Sequence, residues 1–471
     1  MRITKGVLLS YLVTIFIFAV SLLDGGSIVK AGVISVIGYI MFQVAFIVCK
    51  GNFKYALFYL LAFNIPLQLY IWLPQTSLYS VETADTFSLI FLDIIVLLIF
   101  TYSIATKKMI KVPKYLLFLS CSLLLVYLYA TIISINKVAS IYADIRLFKA
   151  IVLCFSLINI YEDKAFDFFI KGLKASVFFQ MLIGMLQFIK GDVLGLSFLG
   201  EGVLRSANGY EKGLSGTVGH PGDFSLFLLF CLVMFLFNSK RNSLYIILCI
   251  LGLILGQSRT ALVIMLVVFI LYWFSSKGKR ITYKSISVLF LTMLSTPFVV
   301  DLFGIIMVRF FNSDLSVQEE NRRFHYELAL KLFSLKEHFA FGPNASLTAT
   351  SIYFPYEFQR GVFYYVHPIH NAFLVYFIET GIIGGGLYIL LNCVCLGNAA
   401  LVFREKPSIN RSRIISFGIW ILVISAYSMT GWAGIKDKFF YLLWISIAFS
   451  VANYKKNKKR GEDVAPEHTT I

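Results

Sequence analysis

The sequence is poor in charged residues. Only 14% of its 471 residues are Asp, Glu, Lys or Arg, whereas 58% are hydrophobic and the mean hydropathy is +0.80. This composition excludes an ordinary soluble globular domain. Apolar runs of about 18 or more residues recur along the whole chain, which is typical of a polytopic helical membrane protein.

The sequence also lacks the patterns of several kinds of site. Its seven cysteines all fall in apolar runs, and Cys393-Val394-Cys395 has the wrong spacing for a zinc site. No Asp-x-Asp pattern stands on a predicted outer loop, and no glycine-rich phosphate loop ends in Lys-Ser or Lys-Thr. We therefore expect no disulfide framework, no metal, no cofactor and no nucleotide-sugar donor.

The hydropathy pattern predicts an all-α polytopic membrane protein with about 12–14 transmembrane helices. The fourteen predicted helices span residues 5–23, 28–49, 54–73, 87–106, 115–134, 147–160, 169–189, 222–238, 243–256, 259–276, 285–304, 371–403, 411–430 and 437–453. No small-residue cleavage site follows the first run, so we interpret it as a retained helix.

The net charge of +17 could indicate a nucleic-acid partner, but the distribution of the charge argues otherwise. If the N-terminus lies inside, 26 of the 42 Lys and Arg flank the inner ends of the predicted helices. Nine of the other sixteen fall in two long outer loops, 190–221 and 305–370, where the positive-inside rule weakens. The charge is thus a topology signal, both termini are predicted to be cytoplasmic, and we expect no nucleic-acid partner.

This topology divides the chain into four parts. They are residues 1–304 with helices 1–11 and the outer loop 190–221, a large extracytoplasmic loop at 305–370, helices 12–14 at 371–453, and a disordered cytoplasmic tail at 454–471. Within the large loop, residues 317–338 predict an amphipathic helix that lies across the outer mouth. Its apolar stripe is Phe324, Leu328, Leu332 and Leu335, and its charged face is Arg323, Glu327 and Lys331.

A polar stretch stands where the twelfth helix begins. His370 and Asn371 close the run His367-Pro368-Ile369-His370-Asn371, and the apolar helix that follows is predicted to break at Gly381. A histidine titrating near neutral pH can take a proton from a sugar hydroxyl. A lone histidine at a helix start is, however, more often a cap or a surface residue. His367 and His220 are the alternatives at the same face.

Basic side chains gather at the predicted outer face. Arg259 lies in a tight turn and Arg205 in the glycine-rich loop, Arg146 and Lys149 lie just before the sixth helix, and Arg322 and Arg323 lie in the large loop. An arginine at the bilayer edge can bind a diphosphate through its planar fork of donors. The alternative is that each arginine only snorkels to the interface, which fits Arg259 least because its turn is short.

Two carboxylates fall inside predicted spans, Asp93 and Glu379. We favour the interpretation that each pairs with a polar group of a neighbouring helix. Glu379 lies nine residues after His370, about 13 Å along a helix, which is too deep for a shared reaction centre unless the helix breaks at Gly381.

The pattern His370-Asn371-x9-Gly381-x-x-Gly384 resembles the signature of the O-antigen ligase and polymerase (Wzy-type) superfamily. Arg205-x10-Gly216 resembles a motif of periplasmic loops in the polymerases, although neither Arg322 nor Arg323 repeats that spacing in the second loop. The resemblance covers roughly Arg205 to Gly386.

The resemblance implies a glycosyltransferase of the GT-C type in the bacterial cytoplasmic (inner) membrane. Its site would face the extracytoplasmic side, and it would transfer glycan from undecaprenyl diphosphate to an acceptor sugar hydroxyl without a metal. His370 would be the general base. The other implied site residues are Arg205, Arg259, Asn371, Arg146, Arg322 and Arg323 for substrate binding, and His220, His367 and Glu379 as secondary candidates.

Three functions stay open. We favour a polymerase of repeat units of O-antigen, capsule or exopolysaccharide because of Arg205-x10-Gly216, with a flippase and a chain-length regulator as further partners. A ligase would instead use lipid A-core as the acceptor. A flippase fits less well, because the charges gather at the outer ends and the chain shows no repeated halves.

Overall fold

The computed structural model describes residues 11, 13–19, 28–67, 69–72, 89–106, 112–202, 213–238, 242–275, 315–335, 340–355, 369–405, 408–431, 433 and 437–464. The longer helices of this part are α1 (Ile28–Val48), α2 (Phe53–Asn64), α3 (Phe91–Ala105), α4 (Lys114–Ile132), α5 (Lys137–Ile160), α6 (Asp163–Lys190), α7 (Pro221–Phe237), α8 (Ser243–Leu255), α9 (Arg259–Ser275), α10 (Leu315–Leu335), α11 (Ser346–Tyr353), α12 (Ala372–Val402), α13 (Ile409–Ser428) and α14 (Asp437–Val464). Two short strands, β1 (Tyr70–Trp72) and β2 (Leu89–Ile90), pair antiparallel. The predicted all-α class is confirmed.

The protein is a multi-pass membrane protein. Five of the described helices, α1, α4, α6, α12 and α13, are long and apolar enough to cross a bilayer, and α3, α7, α8 and α9 are shorter apolar helices. The outer surfaces of several helices carry large exposed apolar side chains, such as Ile47, Phe118 and Ile132. Such surfaces suit contact with lipid and would be unfavourable in water.

Two helices form the centre of the bundle. Residues 223–235 of α7 and residues 438–453 of α14 are all buried. A helix that is apolar on every side has no face for water and is buried by its neighbours. The centre also holds edge-to-face ring contacts, including Phe230 against Trp420 of α13.

Three helix boundaries differ most from the sequence-based prediction. The helix predicted at 54–73 ends at Asn64, and the chain is extended by Tyr70. The helix predicted at 147–160 begins ten residues earlier, at Lys137, where Asn136 caps it by accepting a hydrogen bond from the Ala139 N–H at 3.2 Å. Hydropathy marks only apolar residues, so it misses this polar first half of α5.

The third difference is the tail. The segment predicted as disordered from residue 454 continues α14 as far as Val464. Lysine is a good helix former, and Lys456 pairs with Asp163 at the start of α6, which stabilises the extension. The predicted helix at 285–304 lies outside the described residues.

The loops that the predicted topology places on one side of the membrane lie together at one end of the helix bundle. At the predicted inner end, Arg413 donates to Asp163 at 2.8 Å and to Asp167 at 3.1 Å, and Lys54 pairs with Glu162 at 2.5 Å. At the predicted outer end, the connection after α4 meets the large loop, where the Ile135 N–H bonds the carbonyl of Phe341. The arrangement agrees with the predicted alternation of the helices, while the side that faces the cytoplasm stays a prediction.

The predicted amphipathic helix is present as α10. Leu328 and Leu332 are buried and Phe324 is partly buried, whereas Leu335 is 50% exposed, so the stripe is one residue shorter than predicted. On the charged face, Arg323 Nε lies 3.1 Å from Glu327 Oε1. The buried stripe packs α10 against α12.

Candidate functional site

His370 is held at the N-terminus of α12. Asn371 is the N-cap of this helix, and its side-chain oxygen accepts a hydrogen bond from the Leu374 N–H at 3.1 Å. Asparagine is among the preferred N-cap residues, which explains why the helix starts here. His370 directly precedes the cap and is half-buried, so its imidazole stands at the positive end of the helix.

A second imidazole lies against the first. The ring of His325, on α10, meets the ring of His370 edge to face, with 5.0 Å between centroids and 84° between planes. His325 is buried, only 4% exposed. The sequence analysis missed this residue, because 45 positions separate the two histidines and only apolar residues were assigned to the stripe, although His325 lies three and seven residues before Leu328 and Leu332.

The turn that carries Arg259 packs on the end of α13. Arg259 is the first residue of α9 and is half-buried. The hydroxyl of its neighbour Ser258 lies 3.1 Å from the hydroxyl of Tyr427, one residue before α13 ends. Gln257 adopts a left-handed φ of 52°, as a tight turn at this point requires.

Two further elements meet the same helix end. Tyr427 donates to the carbonyl of Gly222 at the start of α7, and Tyr326 on α10 donates to the carbonyl of Met429 at 2.8 Å. Tyr326 is the neighbour of His325. The structure therefore brings the Arg259 turn and the helix that contacts His370 around the C-terminal end of α13.

His220 serves as a helix cap. Its Nδ1 accepts a hydrogen bond from the Gly222 N–H at 3.0 Å, at the start of α7. A neutral imidazole that accepts through Nδ1 carries its proton on Nε2, so taking a further proton would disrupt the cap. This contact makes His220 less suited to act as a base than His370.

The last part of the glycine-rich loop is buried within the helix bundle. Residues 213–218 are buried, and two glutamines of α6 hold them. Gln187 exchanges two 3.0 Å hydrogen bonds with the backbone of Gly216, and Gln180 accepts from the Thr217 N–H at 2.9 Å. At Gly216 φ is +56° and an added Cβ would lie 2.3 Å from Gln180 Oε1, so glycine is required there.

The first part of this loop is organised by Glu201. Its carboxylate accepts 2.6 Å hydrogen bonds from the N–H groups of Leu194 and Leu196 and from Gln187 Nε2. Burial by itself raises the pKa of Glu201, but these hydrogen bonds to the charged form outweigh it and hold the pKa below its usual range. Arg205 and His367 lie outside the described residues.

α12 breaks at Gly381, as predicted. Gly381 has φ 69° and ψ −177°, and the carbonyls of Ile378 and Glu379 accept hydrogen bonds from the backbone N–H groups of Phe341 and Gly342. The carboxylate of Glu379 accepts from the Ser346 hydroxyl at 2.7 Å. The break thus frees backbone acceptors that the large loop uses, and Glu379 pairs with that loop.

Arg146 lies near this break. It donates to Asn344 Oδ1 at 3.3 Å, and its guanidinium stands 5.2 Å from the ring centroid of Phe440. Arg146 was expected before its helix but lies inside α5. It contacts the part of the large loop that Glu379 holds.

The remaining predicted residues are placed as follows. Asp93 pairs with Lys149 at 2.8 Å and accepts from the Tyr441 hydroxyl at 2.6 Å, as expected for a carboxylate satisfied by neighbouring helices. The side chain of Arg323 is 80% exposed beside Glu327. The side chain of Arg322 lies outside the described residues. Among the residues that the structure describes, no group of three His, Cys, Asp or Glu side chains could hold a metal ion.

Comparison with known families supports the sequence-based resemblance. The search of curated proteins finds no match. Residues 244–389 match the family described as O-antigen ligase, and this segment runs from α8 through Arg259, His325 and His370 to beyond the break in α12. The resemblance of the chain to the O-antigen ligase and polymerase superfamily is therefore confirmed through residues 244–389.

Proposed function

We propose that the protein is a membrane glycosyltransferase that moves a glycan from undecaprenyl diphosphate to an acceptor sugar hydroxyl on the extracytoplasmic side. One observation carries the proposal. The matched family segment contains both Arg259 and His370, and α10 and the Arg259 turn both contact the end of α13. A cation and an imidazole near one helix end supply the two groups that this transfer needs.

His370 is the general base of the proposed reaction. It takes the proton of the acceptor hydroxyl as that oxygen bonds the anomeric carbon of the donor sugar. The bond from this carbon to the diphosphate breaks, and the diphosphate leaves with the electron pair. The attack comes from the opposite side, so the configuration inverts. General-base catalysis of this kind contributes about 10²–10⁴-fold.

The arginines bind the diphosphate and stabilise the charge that develops on it. Arg259 and Arg205 are the principal candidates, since guanidinium forms paired hydrogen bonds with phosphate oxygens. Asn371 uses its side-chain oxygen as the cap of α12, which leaves its Nδ2 atom as the group for a sugar hydroxyl. Arg146, Arg322 and Arg323 are further candidates for the donor.

The favoured activity is that of a polymerase, whose acceptor is another lipid-linked repeat unit. The support is the pattern Arg205-x10-Gly216. Within this pattern the argument depends on Arg205, since close packing already explains why residue 216 is a glycine. A ligase that transfers to lipid A-core is the second candidate, and the matched family fits both activities. The product would be O-antigen, capsule or exopolysaccharide, made together with a flippase and a chain-length regulator.

Surface polysaccharide from a strain that lacks the protein distinguishes these activities. A polymerase leaves single repeat units on the surface. A ligase leaves polymer on the lipid carrier and bare core. Repeat units retained at the cytoplasmic face, with no extracytoplasmic lipid-linked glycan, would indicate a flippase and contradict the proposal.

A further inference from the structure

The contact between His325 and His370 joins two distant parts of the chain at the proposed site. We propose that His325 is a positioning residue for glycan transfer, and that its ring holds the imidazole of His370 in the orientation needed to accept the proton. The inference rests on the proposed function of His370. It gives α10 a part in the reaction through the orientation of His370.

His370 needs a support of this kind because of its place in the backbone. It precedes the N-cap of α12, so the helix fixes its backbone but not the rotation of its ring. Edge-to-face packing at 5.0 Å restricts that rotation, because one ring edge meets the face of the other. His325 is itself buried and so is held by its own surroundings.

α10 is anchored well enough to serve as the support. Its buried residues Leu328 and Leu332 pack in the core of the bundle. Eight residues beyond His325, Phe333 meets Phe377 of α12 edge to face at 6.3 Å. One ring pair just before α12 and one within it keep α10 beside α12, and the hydrogen bond from Tyr326 to Met429 connects α10 to α13.

The second ring pair offers a matched control. Phe333→Leu removes an edge-to-face contact between the same two helices without changing either histidine. His325→Leu introduces an apolar side chain of similar bulk and removes the ring. His325→Phe keeps a ring and removes the nitrogens. These three variants separate helix docking, ring contact and nitrogen chemistry.

The test measures kcat and the KM for lipid-linked donor with purified full-length protein, along with its thermal unfolding. We expect His325→Leu to lower kcat by about tenfold to a hundredfold with KM unchanged, as a misplaced catalytic group does. His325→Phe and Phe333→Leu should keep kcat close to that of the wild type. A loss in His325→Phe equal to that in His325→Leu, or a normal kcat in His325→Leu, would overturn the proposal.

The experiment distinguishes a failure of the proposed role of His325 from a failure of the proposed function. A wild-type protein that does not transfer glycan contradicts the function itself. A wild type that transfers, a His370→Ala variant that does not, and a normal His325→Leu variant contradict only the role of His325. If His325→Leu does not fold, His325→Phe still decides, since a loss of kcat in a folded ring-bearing variant excludes positioning by the ring.

Discussion

At the scale of single residues, polar side chains in apolar surroundings fall into two groups. Asp93, Glu379 and Arg413 are buried, and each has partners on other elements of the bundle. Removing a partner leaves a buried charge or hydrogen-bonding group unsatisfied, so these residues stabilise the fold. Arg259 and His370 differ, because each is half-buried at a helix start where a ligand can reach it.

Arg259→Ala should weaken use of the lipid-diphosphate donor. A charged hydrogen bond of this kind contributes about 1.5–3 kcal/mol, so transfer at low donor concentration should fall about tenfold to a hundredfold. Arg205→Ala should act in the same direction. Arg259→Lys should rescue only in part, since lysine lacks the bidentate fork.

The control for Arg259 is an arginine at the opposite end of the bundle. Arg411 donates to the carbonyls of Val402, the last residue of α12, and of Phe403, which follows it, so Arg411→Ala should leave the donor dependence unchanged. Full activity of Arg259→Ala at normal expression would show that this arginine only snorkels.

The sequence alone identified some of these residues and not others. His370 and Arg259 stand out because polar residues interrupt apolar runs at a recognisable spacing. His325 carries no such mark, since it is one of several polar residues on an amphipathic helix. Its contact with His370 depends on the packing of α10 against α12, which no local pattern specifies.

At the scale of elements, the break in α12 connects the membrane helix with the large loop. A straight helix would use the carbonyls of Ile378 and Glu379 internally, whereas the break offers them to Phe341 and Gly342. The glycines predicted the break. The partners could not be predicted, because they come from a segment more than thirty residues earlier in the chain.

Gly381→Ala should destabilise the protein. A φ of 69° with ψ near 180° is accessible to glycine and strained for alanine, at a cost of about 1–3 kcal/mol. The matched control is Gly386→Ala in the same helix, where nothing lies within 4 Å of an added Cβ and alanine favours the helix. Thermal unfolding in detergent compares the two. Equal melting temperatures would show that the break does not require glycine.

At the scale of the whole molecule, the helices present two polar ends and an apolar outer surface. Hydropathy and basic residues predicted the class and the alternation of the helices. They missed the polar start of α5, because hydropathy marks only apolar residues, and the helical extension of α14, which depends on tertiary contacts such as the Lys456–Asp163 pair. The orientation of the molecule in the membrane is the prediction on which the site depends.

Cysteine labelling tests the orientation. Ser334, on the exposed face of α10, is suitable for an outer cysteine, whereas Ser346 is buried and would be shielded. Arg404, at the other end, provides the inner counterpart. Cys121 and Cys393 are exposed on apolar helices and are replaced by alanine beforehand.

An impermeant maleimide should label Ser334→Cys on intact cells and Arg404→Cys only after permeabilisation. The expectation follows from the excess of basic residues at the predicted inner end. The reverse pattern would place the proposed site on the cytoplasmic side and contradict the function.

The most direct test of the central claim is transfer by purified protein from a lipid-linked donor, with and without a chelator of divalent cations. The wild type should transfer at the same rate in both conditions. His370→Ala should still bind the donor but transfer about 10²–10⁴-fold more slowly, because the acceptor hydroxyl keeps its proton, and His367→Ala should cost much less. Near-normal transfer by His370→Ala would contradict its role as the base, and loss of wild-type activity in the chelator would contradict a metal-independent reaction.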